Sequence, residues 1–173
     1  MVFPMSTHDI ELRYWLAAGG IDPVDDVELR VVPPPSMVDE LRAGRLDGFC
    51  VGEPWNSVAV AEGLGEVVVA KHELWSNGSE KVLGVTADWA AQQPATHAAL
   101  IESIGGACAW LDEPANRREA CEILSRPQYV NVEAELIERS MTGGFVAEPG
   151  GEPIETPDFH VFHRYQANLP WRS

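Results

Sequence analysis

Lysine is almost missing from this chain. Among 173 residues there are only two, Lys71 and Lys81, and 12 basic side chains face 27 acidic ones for a formal charge of −15. Recognition of a phosphate backbone needs a basic footprint, so this balance excludes a general nucleic-acid binder. The same charge argues against docking on anionic lipid. Cysteine is also scarce. Cys50, Cys108 and Cys121 form neither a CxxC pair nor a Cys/His cluster with zinc spacing, and the apolar sequences around Cys50 and Cys108 predict small buried hydrophobes. No charged segment precedes an apolar stretch, and no apolar run is long enough to span a bilayer. A GxSxG elbow, a P-loop and an HExxH motif are absent from the sequence. Gly105-Gly106 falls inside a predicted helix, so it cannot serve as a dinucleotide-binding turn after a strand.

What is present is the composition of a globular domain. Hydrophobic residues make up 45% and charged residues 23%, enough for one domain with a sizeable core. The acidic excess is expected on solvated helix faces. Helical and strand patterns alternate. Residues 8–18 carry a helical pattern with Ile10, Tyr14 and Ala17 on one face and Leu12, Trp15 and Leu16 beside it, stopped by Gly19-Gly20. Residues 27–32 alternate apolar and polar as a half-buried strand does. Three prolines follow, and Ser36 is a good N-cap for a helix that ends at Gly44. Further strands are predicted at residues 46–51, 66–70 and 81–86, and further helices after Pro54 and over 88–93, 94–112, 114–125 and 132–141. The apolar residues at 1–3, and Phe159, Val161, Phe162, Tyr165, Leu169 and Trp171 near the other end, expect cover from something else, as in a fragment of a longer protein.

Such alternation argues for an open α/β sheet flanked by helices. Ligands of such sheets bind beyond the carboxyl ends of the strands, where helix N-termini converge. Three junctions have that form, at residues 4–9, 32–36 and 51–55. His8 stands in the first turn of a helix beside Ser6 and Thr7, where it could be an anion ligand, a general base or an exposed cap residue. Lys81 opens a predicted strand and is a ready point charge for an anion, or a solvated loop lysine. Trp55 could wall a cleft or fill a core. The adjacent carboxylates Asp39-Glu40 and Asp112-Glu113 point apart on their helices, so neither makes a paired acid and base.

Several stretches together resemble the nitrate-binding branch of the ABC-transporter solute-binding proteins. They are LRYWLAAGGI at 12–21, DGFCVGEPWN at 47–56, EKVLGV at 80–85, NRRE at 116–119 and LPWRS at 169–173. The resemblance implies one lobe of a type II periplasmic-binding-protein clamshell, with residues 1–144 forming the second, ligand-binding lobe and 145–173 returning toward a missing first lobe. It implies that His8 and Lys81 contact nitrate or nitrite, with backbone N–H groups from Thr7 to Asp9 assisting and Trp55 nearby. It implies as partners the membrane subunits of an ABC transporter, no cofactor and no direct contact with nucleic acid. A periplasmic, membrane-anchored receptor is the expected setting, with a cytoplasmic sensor of the same family as the alternative. Bicarbonate receptors of this family recruit calcium through a carboxylate, so a lysine at 81 favours nitrate or nitrite. A similar clamshell also serves an enzyme of pyrimidine biosynthesis, but no nucleophile, metal set or second acid accompanies His8. One lobe alone is expected to bind the anion weakly or not at all, since closure desolvates the ligand.

Overall fold

The computed structural model describes residues 1–75, 81–156 and 159–164. The stretch 169–173, Glu80 and the loop residues 76–79 lie outside the described residues.

Helix α1 (Thr7–Ala18) starts one residue ahead of the predicted 8–18 pattern, with Ser6 as its N-cap. The Ser6 hydroxyl accepts from Asp9 N–H, and the Asp9 carboxylate reaches back to accept from Met5 N–H at 2.9 Å. The first bond satisfies an amide that the first turn leaves without an intrahelical partner, and the second ties down Met5 N–H just ahead of the cap. Gly20, at φ 81°, turns the chain out of the helix. The sheltered face differs from the expected stripe: Ile10 and Tyr14 are about half exposed, while Leu12, Trp15 and Leu16 are half-buried. Arg13 explains the choice. It bonds Asp9 at 2.8 Å and reaches Pro23 O, which fixes that side of the helix against the following loop.

Helix α2 (Pro34–Arg42) begins earlier than Ser36 would have it. Pro33 is its N-cap and two prolines occupy the first turn, where their missing N–H groups cost nothing. Helix α3 (Trp55–Ala61) follows Pro54, and α2 packs on it, burying Met37, Val38, Ala59 and Val60. Arg42 ties the two by bonding Asp39 and Glu62. Helix α4 (Lys71–Leu74) is short; the Glu73 carboxylate accepts from Ala70 N–H at 2.8 Å. Next come α5 (Ala87–Gln92), the long α6 (Pro94–Asp112), a 3-10 turn (Pro114–Asn116), α7 (Arg117–Leu124) and α8 (Ala134–Met141). Helices α7 and α8 pair, and the core lies between them: Ala120, Cys121, Ile137 and Met141, closed over by Trp110, Leu111, Leu124 and Phe162. Helix α8 also packs on α3, joining the two halves.

The strands differ from expectation. Among the described residues the ladder consists of β1 (Gly144–Phe145) and β2 (Ile154–Glu155), antiparallel, with Phe145 opposite Ile154. Residues 27–32, 46–51, 66–70 and 81–86 carry no strand. One fragment of parallel pairing survives: Met1 N–H donates to Arg30 O at 3.0 Å and Val32 N–H to Met1 O at 3.1 Å, bracketing Val31. Elsewhere the alternation is real without the ladder. Val67 and Val69 are half-buried while Val68 is exposed, because a period of two reports which side chains are sheltered, not which amides pair. Residues 81–86 are exposed throughout. Cys50 and Cys108 are only half-buried, and Cys121 is the fully buried thiol, pushed up to about 11 by burial and by the Glu138 carboxylate.

Candidate functional site

The apolar side chains of the extended segments 27–29, 46–51 and 67–70 face a cavity of about 1080 Å³. Helix α1 forms one wall with His8, Glu11, Leu12, Trp15 and Leu16, the i, i+3, i+4, i+7, i+8 face of a helix. Residues 46–53 form another, 65–72 a third, and Phe159 to Val161 close a side.

His8 and Lys81, 73 positions apart in the chain, both line this cavity. His8 is half-buried in the first turn of α1, and its Nε2 faces Gly52, where an added Cβ would lie 3.9 Å away. Lys81 is exposed at the rim. Of the three predicted ligand-end junctions, the first and third contribute to the lining, through His8 and through Val51 to Glu53 with Asn56. The middle one, residues 32–36, does not.

Thr7, Asp9 and Trp55 stand outside the lining. Asp9 is committed elsewhere. Its side chain is buried, its N–H is taken by Ser6, and its carboxylate serves Met5 and Arg13. Burial alone would raise the carboxyl's pKa. The Met5 N–H, the Arg13 bond and the Arg13 charge outweigh it and hold Asp9 below its ordinary value. Trp55 is half-buried at the start of α3.

The structure brings polar groups to the lining that the sequence reading did not single out as site residues, Glu11, Lys71, Glu53 and Asn56 among them. Glu11 is buried and pairs with Lys71 at 3.3 Å. Its spacing from His8, three residues on a helix, was the available signal. Lys71 was visible only as one of two lysines. Glu53 accepts from Ser57 N–H at 3.2 Å, and burial raises its carboxyl above the usual range despite bonds from Ser57 and Asn56. Asn56 in turn donates to Val51 O at 2.9 Å, which fixes the turn that carries Gly52 and Glu53. Among the described residues no group of three or more His, Cys, Asp or Glu side chains could hold a metal ion, and no helix is long and apolar enough to cross a membrane.

An α/β lobe that gathers a first-turn histidine and a distant lysine at one cavity has the architecture of a periplasmic solute-binding lobe. The backbone superposes on the crystal structure of the periplasmic nitrate-binding protein NrtA from Synechocystis PCC 6803 with a TM-score of 0.89 at 36% identity, covering 94% of this chain and 43% of that one. The family profile matching residues 1–125 is that of the NMT1-like family, and the chain belongs to it. Among curated relatives, the nitrate/nitrite binding protein NrtA of Synechococcus elongatus is 38% identical over all of this chain and 39% of its own length. The nitrate import ATP-binding protein NrtC of Synechocystis sp. is 44% identical over all of this chain and 26% of its own length. The bicarbonate transport ATP-binding protein CmpC of the same organism is 42% identical, again over all of this chain and 26% of its own. The chain therefore spans between about a quarter and two-fifths of these relatives.

Proposed function

We propose that this lobe binds nitrate or nitrite without turning it over, as part of the solute-binding component of an ABC transporter. The observation that carries the reading is the meeting of His8 and Lys81 at one cavity. A planar monoanion needs several donors around its edge and a cation nearby. Lys81 supplies the charge and His8 a ring N–H. The amides of Thr7 and His8, which have no intrahelical acceptor in the first turn, lie next to it. In this reading the lobe works in the periplasm, in a membrane-anchored receptor that passes its ligand to the membrane subunits of the transporter. A first lobe closes over the anion and supplies the remaining contacts, and residues 145–173 return toward it.

Nitrate titrated into the chain, followed by amide NMR shifts, is expected to perturb the residues around His8 and Lys81 with weak affinity. Lys81→Ala and His8→Ala are each expected to abolish the shifts. Unchanged affinity in both variants, or nitrate shifts confined to another part of the chain, would overturn the assignment.

A second reading is favoured by the identity with the ATP-binding proteins over the whole chain. In it the same anion site belongs to a sensing domain attached to an ATPase. A dependence of ATP hydrolysis on nitrate in the complete gene product would select this version, and copurification with membrane subunits without any ATPase activity would select the first.

A further inference from the structure

The stretch NRRE at 116–119 stands outside the cavity lining. Its Arg117 is nevertheless tied to the cavity through the backbone. The Arg117 side chain is 6% exposed; Nε donates to Leu111 O at 3.0 Å, Nη1 to Met141 O at 2.6 Å, and Nη2 to His160 O at 2.8 Å and to Asp112 Oδ1 at 3.4 Å. Asp112, whose side chain is 5% exposed, accepts the successive N–H groups of Phe162 at 3.0 Å, His163 at 2.7 Å and Arg164 at 2.5 Å. A fixed carboxylate cradled by consecutive amides holds that backbone in one conformation. The buried pair thus joins the ends of α6 and α8 to a segment 43 to 52 positions further along the chain.

That segment continues directly into a wall of the cavity. Phe159, His160 and Val161 line it, whereas Asp112 and Arg117 do not. The Phe159 ring stacks on Phe145 at 4.8 Å between centroids and meets the His72 ring at 5.4 Å. His72 follows Lys71 on α4, and Lys71 pairs with Glu11, one turn along α1 from His8. We infer that Asp112 and Arg117 are positioning residues for the anion site, fixing the wall at 159–161 against α4 from behind, without touching the ligand. The bearing on nitrate rests on the anion-binding reading above. A buried ion pair is a poor source of stability, because apolar side chains of similar volume pack as well without the cost of desolvating two charges. Apolar side chains cannot, however, hold His160 O and the three amides in place. Without those bonds the wall parts from α4, water enters along that side, and an ionic contact in the cavity weakens as the local dielectric rises.

The double variant Asp112→Leu/Arg117→Met tests this, since it removes one charge of each sign and leaves the other charged groups of the cavity wall as they are. It is expected to melt at or above the parent temperature, to speed amide hydrogen exchange at 162–164, and to shift the amide NMR signals of Lys71 and His72 without ligand. In NMR titration it should bind nitrate about tenfold more weakly. Parent-like nitrate affinity in a variant that melts like the parent would mean that the pair is merely structural, and would overturn the inference. Should the double variant fail to fold, Arg117→Lys decides: it keeps the charge, but an ammonium cannot span the Leu111, Met141 and His160 carbonyls as the guanidinium fork does. Weaker nitrate binding is expected there too, and parent affinity would again overturn the inference. Arg118, exposed in the same stretch and paired with Glu138 at 3.3 Å, serves as the control. Arg118→Ala should leave nitrate affinity unchanged, and an equal loss there would trace the effect to net charge and sink the assignment. Absence of nitrate binding in the parent chain would defeat the anion-binding reading, while unshifted Lys71 and His72 signals in the double variant would defeat this one.

Discussion

Asp9 and Glu53 are two carboxyls near one cavity, pushed in opposite directions by their partners. For Asp9, burial is outweighed by Met5 N–H and Arg13, so its pKa is lowered and its stabilisation is present above the unfolded value and lost as pH falls through the folded one. Asp9→Ala removes the reach-back bond to Met5 and strands Arg13. It should cost about 2 kcal/mol in urea unfolding at neutral pH, by the usual worth of hydrogen bonds to a charged group, with the difference shrinking in acid. Glu53 has no such cation, and burial raises it. Its stabilisation is complete below the unfolded pKa and is lost as pH rises through the folded one. Glu53→Gln should therefore raise the unfolding midpoint at pH 8 and leave it unchanged at pH 4; a decrease at pH 8 would show that the carboxylate is needed in its charged form. At this scale the sequence was legible where a residue's role is local. The Ser6 cap joins residues three apart, so its signal lay in residue order, although the predicted helix began at residue 8 without a named cap. The Glu11–Lys71 pair has no such signal, because it joins helix positions 60 apart that only the tertiary fold brings together.

Among the elements, the segment 159–164 shows most clearly how one buried group can seat a stretch of chain. Asp112, at the end of α6, accepts N–H bonds from Phe162, His163 and Arg164, and Arg117 donates to Leu111 O, Met141 O and His160 O. Burial would raise Asp112, but the three amides and Arg164 lower it overall, so this seat also weakens only in acid. His160 behaves differently. Burial, with the Arg117 charge beside it, lowers its pKa to about 4. Unfolding lets it take up a proton at its ordinary value near 6.5, so stability should fall as pH drops from about 6.5 to about 4. His160→Phe keeps an aromatic ring between Phe159 and Phe162 and should flatten that slope in urea titrations at pH 7 and pH 5. A slope equal to the parent's would place its origin in other groups. The helices were readable to within a few residues because Ser6, Gly20, Pro54 and Pro94 punctuate them chemically. The four-residue α4 was missed: Ala70 offers no side-chain cap, and the signal was Glu73 reaching back three residues. The predicted strands failed for a more basic reason. Val27, Leu29, Val67 and Val69 alternate as strand residues do, yet their sheltered faces line a cavity, and side-chain order carries no information about which amide meets which carbonyl.

For the whole molecule, the charge of −15 and an anion site pull against each other. Outside the cavity the acidic surface repels an approaching anion over a distance set by screening, whereas Lys71 in the wall and Lys81 at the rim act on a bound anion at short range, where screening weakens an interaction least. Raising ionic strength from about 10 mM to about 150 mM shortens the screening length from about 30 Å to about 8 Å. That change should silence the distant carboxylates before it weakens contacts at Lys81 or Lys71. Nitrate affinity is therefore expected to rise severalfold over that range when the added salt has an anion that, titrated alone, shifts no amide at the cavity. A receptor with a basic surface would lose affinity under the same change. A fall in affinity here would mean that the cavity cations set the long-range field as well, and that the acidic faces lie too far from the mouth to be felt.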